Sequence, residues 1–173
     1  MTPNVVFDCM ILVQAAANPH GEAGRCFLAV ETGLVQLTMS QATRYEAHDV
    51  LTRERVRLKL PSLSDERVAE ILDSMDHYAL PVDTVPLAVR LPRDPKDEKY
   101  LNLAIAANAK YLVSRDNDLL NLMTERAAEA IDFRTAYPDI RILDPVAFLQ
   151  TLQTELPEPS DPNIPNQRSD EAS

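Results

Sequence analysis

The sequence predicts an α/β fold in which a mostly parallel β-sheet is covered by helices on both faces. Short apolar runs rich in β-branched and aromatic residues, at 5–7 and 111–113, alternate with segments of helical pattern, as in chains built from βαβ units. Apolar residues make up 45% of the chain and charged residues 25%, which is the composition of an ordinary globular protein. The length of 173 residues suits one domain with its own core.

The N-terminal part predicts a strand, a helix and a second strand. Residues 5–7 form a buried strand that ends at Asp8, because an apolar run stops there at an acid. After a loop, residues 22–31 form a helix that Gly33 terminates, and residues 35–39 form the second strand.

Two further helices follow, each beginning after a serine that can act as N-cap. Ser40 precedes a helix from Gln41 to about Leu51, and Ser64 precedes another whose first residues are acidic. Acidic side chains are stabilising at this end of a helix, because the helix dipole is positive there. The second helix has one buried face, formed by Val68, Ile71, Leu72 and Met75.

The second half of the chain begins with an extended, proline-rich crossing at residues 81–95, with at most a few strand residues around Val82. A helix over 98–108 leads into a strand at 111–113. A further strand at 140–143 precedes a last helix that ends at about Leu152. We divide the chain into a domain of residues 1–154 and a disordered, acidic and proline-rich tail of residues 155–173.

Charge and cysteine content limit the classes of function. Seventeen basic against 27 acidic residues give a net charge of −10, which argues against sequence-blind adhesion to nucleic acid or membrane but allows a local basic groove. Cys9 and Cys26 form no C-x-x-C pair and are expected to be reduced thiols. No secretory signal or membrane span is expected, and the predicted location is cytoplasmic.

Several acids follow the predicted strands at the points where these strands end. A parallel sheet brings Asp8 and Asp116 to the same rim, where such sheets bind ligands. Glu46 lies on the second turn of the helix that leaves this rim, and Asp97 begins the helix that precedes the strand at 111–113. Asp97 approaches the others only if its helix starts near the same rim.

Converging carboxylates need a cation. Two carboxylates about 4 Å apart repel by roughly 4 kcal/mol at an effective dielectric constant of about 20, so a cluster is unstable unless protonated or neutralised. Ligand sets made only of oxygen select Mg²⁺ or Mn²⁺ over zinc. Such ions promote in-line displacement at phosphate, and phosphodiester hydrolysis is therefore the chemistry that the cluster favours.

Each acid also has an ordinary structural interpretation. Asp97 and Asp116 could be helix N-caps, Glu46 a solvated helix residue and Asp118 a turn residue. His48 could suggest a general base, but no nucleophile in a triad-like setting accompanies it, which favours a surface histidine. Asp8 is different, because an acid that ends a buried strand is unfavourable without a partner.

Four segments, in order, resemble the PIN-domain family, specifically the branch of toxin components of toxin–antitoxin pairs. They are VVFDCMILVQAAANP, SQATRYEAHDVLTR, RDPKDEKYLNLAIAANAKYLVSRDNDLL and IRILDPVAFL, and the resemblance covers roughly residues 4–150. It implies a three-layer α/β/α sandwich with a mostly parallel central sheet. It also implies an Mg²⁺- or Mn²⁺-dependent ribonuclease, a homodimer and a small antitoxin partner that blocks the site.

The resemblance assigns the family's acids one at a time. Its first acid matches Asp8, its helix glutamate Glu46, the acid before the following long helix Asp97, and the acid after the next strand Asp116. The metal-binding set would be Asp8, Asp97 and Asp116, with Asp118 and Glu98 as possible additions.

One position departs from the family pattern. Where the family commonly has Asp, a small hydroxyl residue and Asn, this chain has Asp8, Cys9 and Met10. The thioether of Met10 cannot replace the polar contact of an Asn. Two interpretations remain open: Met10 limits the activity, or Met10 begins a helix and packs into the core.

Arg115 and Arg44 are the candidates for contact with substrate phosphates, Arg115 because it adjoins Asp116. Their alternative role is that of solvated, ion-paired surface residues.

Two other protein classes share an acid after the first strand or an acidic pair near it, but each requires residues that the sequence lacks. A haloacid-dehalogenase-like phosphatase needs a second Asp at the position of Met10. A receiver domain needs an acidic pair near the first strand and a late lysine after another strand, and neither is evident in the sequence. The remaining alternative is a degenerate PIN-domain protein that binds RNA or a protein partner without cleavage.

Overall fold

Five strands form the central sheet of the computed structural model, which describes residues 1–156. The strands are β1 (Asn4–Phe7), β2 (Gln36–Met39), β3 (Leu80–Pro81), β4 (Tyr111–Val113) and β5 (Arg141–Leu143). Their order is β3-β2-β1-β4-β5, and all neighbouring pairs are parallel. In the central pair, Val5 lies opposite Tyr111 and Phe7 opposite Val113, so β1 and β4 end at the same level.

Helices connect the strands and pack on the sheet. They are α1 (Cys9–Ala17), α2 (Glu22–Glu31), α3 (Gln41–Thr52), α4 (Glu54–Lys59), α5 (Asp65–Tyr78), α6 (Glu98–Ala106), α7 (Asn117–Leu120), α8 (Ala128–Ala136) and α9 (Pro145–Glu155), with a 3₁₀ turn at Asn121–Met123. None of the helices within residues 1–156 has the length and apolar character needed to cross a membrane.

The sheet separates two hydrophobic cores because side chains alternate between its faces. Val5 and Phe7 pack in the larger core with helices α1, α2, α3, α5 and α9. Val6 and Leu112 face the opposite core with α6, α7 and α8. The predicted three-layer α/β/α sandwich with a parallel central sheet is therefore confirmed.

Elements with clear local signals lie where they were predicted. Helix α2 has the predicted bounds, and Gly33 after it adopts a φ of +78°, a conformation that glycine favours at helix ends. Ser40 caps α3 by accepting the N–H of Thr43 at 3.2 Å, and the Thr43 hydroxyl accepts the N–H of Ser40 in return.

Helix α1 was predicted only as one of the two interpretations of Met10, without bounds. Its sequence CMILVQAAA is apolar almost throughout, and five of its nine residues are buried, so it lacks the polar stripe by which surface helices are recognised. Helices α4, α7 and α8 were not predicted. Helix α6 ends at Ala106, two residues before the predicted end at Asn108, whose φ is +47°.

The last helix is longer than predicted. Helix α9 continues to Glu155, past the expected end near Leu152. The carboxylate of Glu155 accepts hydrogen bonds from Lys110 Nζ at 2.7 Å and the Tyr111 hydroxyl at 2.9 Å, and it also pairs with Arg141. Glu155 thus joins α9 to β4 and β5. The predicted tail beyond Leu156 lies outside the described residues.

We expect Glu155→Gln to lower the melting temperature by a few degrees, because it removes the charge that Lys110 and Arg141 share.

We expect deletion of residues 157–173 to leave the melting temperature unchanged, since that segment offers little apolar surface to bury. Thermal unfolding of both variants beside the full chain checks this. A larger loss for the deletion than for Glu155→Gln would contradict it.

Candidate active site

The carboxyl ends of β1 and β4 place two aspartates side by side. Asp8 follows β1 and caps α1, and Asp116 follows β4 and caps α7. The strand order reverses at β1, which pairs with β2 on one side and with β4 on the other. Parallel sheets bind ligands at such a topological switch point. The predicted proximity of Asp8 and Asp116 follows from this topology.

Asp8 is held by hydrogen bonds to both of its oxygens. It is 7% exposed, its Oδ1 accepts the N–H of Ile11 at 3.1 Å, and its Oδ2 accepts the hydroxyl of Ser114. Burial raises the pKa of the Asp8 carboxyl, while the hydrogen bonds from Ser114 and Ile11 lower it in part. The orientation of Asp8 is therefore determined by α1 and by Ser114, the residue that follows β4.

Ser114 connects the two aspartates. Besides donating to Asp8, its Oγ accepts the backbone N–H of Asp116 at 3.0 Å. Asp116 in turn caps α7 by accepting the N–H groups of Asp118 and Leu119 at 2.8 and 3.3 Å. Ser114 was not predicted as a site residue, although a small hydroxyl residue directly after an apolar strand was a visible signal.

Asp116 also belongs to a cluster of three aspartates. One carboxylate oxygen each of Asp94, Asp97 and Asp116 lies within 4.8 Å of the others. Burial, followed by the charges of Asp94, Asp116 and Asp8, raises the pKa of Asp97 to about 7. Asp97 precedes α6 without forming a side-chain cap, so helix capping does not account for its position.

Asp94 was not predicted as a site residue. It lies three residues before Asp97 in the segment DPKD, and that spacing was the only signal available. The N–H of Asp97 donates to the carbonyl of Asp94 at 3.1 Å, and Asp94 Oδ1 accepts the N–H of Lys96 at 3.1 Å. This tight turn brings the two aspartates to the same place.

Two side chains of α6 hold the irregular segment that carries Asp94. Asn102, which is buried, accepts the N–H groups of Ala88 and Val89 at 2.8 and 2.9 Å. Glu98 accepts the N–H of Leu91 at 2.8 Å. Glu98, a possible additional ligand in the sequence analysis, therefore fixes the segment and is not among the three clustered acids.

Glu46 lies outside the three-aspartate cluster and has partners of its own. Its Oε2 accepts the hydroxyl of Tyr100 and lies 2.9 Å from Lys99 Nζ. The Tyr100 hydroxyl also accepts the N–H of Cys9 at 3.1 Å. The charge of Glu46 is thus balanced within the protein by Lys99.

The other candidate residues have mainly surface partners. Arg115 is exposed and donates to Gln14 at 2.8 Å and to Glu22 at 2.7 Å. Arg44 pairs with Asp76 at 2.7 Å, and His48 Nε2 lies 3.8 Å from the same carboxylate. Asp118 is half-buried and contributes its N–H to the Asp116 cap.

The interpretation of Met10 as a core residue is wrong. Although Met10 lies in the first turn of α1, its side chain is 44% exposed. The core contacts of α1 come from other positions, such as Ile11 and Leu12. Met10 therefore leaves an apolar, solvent-facing side chain two residues from Asp8.

The donor set fits a hard divalent cation. The clustered aspartates offer only carboxylate oxygens, the ligands that Mg²⁺ and Mn²⁺ prefer. Burial, followed by the charges of the neighbouring aspartates, raises the pKa of Asp97, and Lys99 lowers it only in part. A divalent cation would balance this charge, and Asp94, Asp97 and Asp116 would hold it.

We expect the metal-free protein to lose stability as the pH rises from about 4 to about 7. The pKa of Asp97 is about 7 in the folded chain against 3.8 for the ordinary carboxyl. In this window the folded state keeps a proton that the unfolded state has released, so raising the pH favours unfolding.

Urea unfolding in EDTA at several pH values measures this dependence, and Asp97→Asn should show a shallower fall than the parent. The comparison isolates Asp97, because the raised pKa of Asp8 contributes in the same direction to both proteins. Equal slopes for parent and variant would contradict the assignment.

The sequence matches the PIN domain family model over residues 4–118, more than half of the chain. The matched part includes Asp8, Glu46, Asp94, Asp97 and Asp116. No curated protein matches the chain significantly. The chain belongs to the PIN-domain family, whose members are in general metal-dependent nucleases that hydrolyse phosphodiesters.

Proposed function

We propose that this protein is an endoribonuclease that depends on Mg²⁺ or Mn²⁺ and hydrolyses RNA phosphodiesters. The supporting observation is the approach of Asp94, Asp97 and Asp116 to within 4.8 Å, beside Asp8, in a chain of the PIN-domain family. Closely spaced carboxylate oxygens are the ligands with which a nuclease holds a divalent cation.

Asp97 and Asp116 are the proposed metal ligands common to the resemblance and the geometry. Asp94 is added to them because of its distance, and Asp8 contributes charge from the neighbouring strand end. When bound, a divalent cation shields the charge of the phosphate and activates water for in-line displacement. The chain's own contribution is to hold these carboxylates in place through Ser114 and through the segment that α6 fixes.

Glu46 has a different proposed role. Lys99 and Tyr100 both contact Oε2, which leaves Oε1 as the oxygen that can accept a hydrogen bond from the attacking water. A carboxylate with a fixed orientation near the reacting phosphate can orient that water and accept its proton. Glu46 thus acts as a catalytic residue beside the metal ligands.

Arg115 is the proposed contact for a substrate phosphate. It directly precedes Asp116, and its present partners, Gln14 and Glu22, are surface groups. Exposed ion pairs contribute little free energy, so a phosphate can replace Glu22. Arg44, which pairs with Asp76, would require a similar exchange.

The biological role is the further part of this proposal. From the resemblance, we propose that the chain is the toxin of a toxin–antitoxin pair, acts as a homodimer and is blocked by a protein antitoxin. We place it in the cytoplasm, consistent with the free thiols of Cys9 and Cys26, and assign the activity to residues 1–154. Growth arrest that requires an intact Asp8 is the corresponding cellular test.

We expect Asp8→Asn and Asp116→Asn each to reduce metal-dependent RNA cleavage by more than about 100-fold, since even residues that only support a metal ligand are worth about 10–100-fold. Both substitutions keep an oxygen for the helix cap, so the fold should survive. Cleavage of a labelled RNA in Mn²⁺, Mg²⁺ or EDTA measures the effect.

Asp144→Asn is the matched control. Asp144 also follows a strand and caps a helix, accepting the N–H of Ala147 at 2.8 Å, but it is not among the clustered aspartates. Activity equal to the parent is expected for this variant. RNA binding without cleavage by the parent would instead support the degenerate PIN-domain protein.

We expect Met10→Asn to accelerate cleavage with little change in melting temperature. The side chain is exposed, so its removal forfeits little buried apolar area. An Asn there can donate a hydrogen bond near Asp8, and such supporting bonds are worth about 10–100-fold at metal sites. Cleavage rate and thermal unfolding are measured together, and an unchanged rate would show that position 10 does not contribute.

A further inference from the structure

We propose that Tyr100 is a positioning residue that holds Glu46 and the first turn of α1 in the arrangement needed for cleavage. This inference rests on the proposed nuclease function and extends it to a residue that does not touch substrate. The observation behind it is one buried hydroxyl that bridges two elements of the site.

Tyr100 lies on α6 and is 2% exposed. Its hydroxyl donates to Glu46 Oε2 on α3 and accepts the N–H of Cys9, the first residue of α1. Cys9 directly follows Asp8. One hydroxyl group therefore joins α3 and α1 to the helix that begins next to Asp97.

The direction of these bonds gives the hydroxyl a defined orientation. The N–H of Cys9 occupies one lone pair of the oxygen, so the proton of the hydroxyl points to Glu46. This N–H belongs to the first turn of α1 and has no partner within the helix. Tyr100 thus satisfies a helix end and fixes a carboxylate at the same time.

Lys99 is the competing explanation for the position of Glu46. Its Nζ lies 2.9 Å from the same oxygen, but the side chain is flexible and partly exposed, and such pairs alone fix geometry weakly. Tyr100 has a rigid ring packed in the core with Leu101 and Leu103. Its ring is therefore the better support for a fixed position.

The test compares Tyr100→Phe with Tyr111→Phe. Both remove one hydroxyl from a buried tyrosine, but the Tyr111 hydroxyl donates to Glu155, away from the clustered aspartates. We expect Tyr100→Phe to lower kcat about tenfold or more with KM nearly unchanged, as for loss of a residue that orients a reacting group. Tyr111→Phe should leave both constants near those of the parent.

Glu46→Gln and the double variant with Tyr100→Phe separate positioning from a general loss of structure. If Tyr100 acts through Glu46, the double variant cleaves no more slowly than Glu46→Gln alone. The proposal would be overturned if the two losses in kcat multiplied in the double variant. An unchanged kcat for Tyr100→Phe, or an equal loss for Tyr111→Phe, would also overturn it.

The parent, Tyr100→Phe, Glu46→Gln and the double variant are also unfolded in urea. This measurement keeps the inference distinct from the nuclease function. If the parent cleaves no RNA with Mg²⁺ or Mn²⁺, the proposed function fails. The unfolding cycle then decides the remaining point: non-additive changes in the free energy of unfolding show that Tyr100 holds Glu46, and additive changes overturn it.

Discussion

Mutual repulsion among carboxylates at the carboxyl ends of β1 and β4 is the constraint on which the rest of this site depends. Asp8 and Asp116 meet there because adjacent parallel strands end at the same level, and each caps a helix whose N–H groups offset part of its charge. Ser114 links them further, donating to one carboxylate and fixing the backbone of the other. Asp97 has no cap of this kind, and it is this carboxyl whose pKa reaches about 7. A bound cation would therefore offset both the burial of this carboxyl and the charges of its neighbours.

Glu46 meets the same constraint in a different way. Lys99 supplies a positive charge within the protein and Tyr100 supplies a hydrogen bond, so this carboxylate needs no bound cation. Lys99 and Tyr100 lie on the first turn of α6, directly after Asp97. The first turn of α6 thus carries the groups that hold the proposed catalytic carboxylate, and the residue before that turn is a proposed metal ligand. A shift of α6 would disturb the two parts of the site together.

The strands could be predicted from short β-branched and aromatic runs, and the amphipathic helices from apolar residues that recur at helical spacing. The bounds of helix α1 could not be predicted, since a helix that is apolar almost throughout shows no polar stripe. The approach of Asp8 to Asp116 followed from parallel topology alone. Ser114 could be noticed as a hydroxyl residue directly after a strand, but the roles of Ser114 and Tyr100 could not be predicted, since their partners lie about 100 residues away along the chain. Local patterns therefore predicted the carboxylates better than the residues that hold them.

The segment before α6 shows why Asp94 in particular was missed. Residues 82–97 contain neither helix nor strand, and a proline-rich run without regular structure is expected to be variable in position. Here Asn102 and Glu98 accept three backbone N–H groups of that run, and Asn102 also donates to the carbonyl of Val89 at 2.9 Å. These bonds replace the ladder that a strand would have provided, so the backbone leading to Asp94 is fixed although it is irregular. The same helix that begins after Asp97 therefore also brings Asp94 to it, and the three-aspartate cluster joins two aspartates placed by this side-chain to backbone bonding with Asp116, which the sheet places.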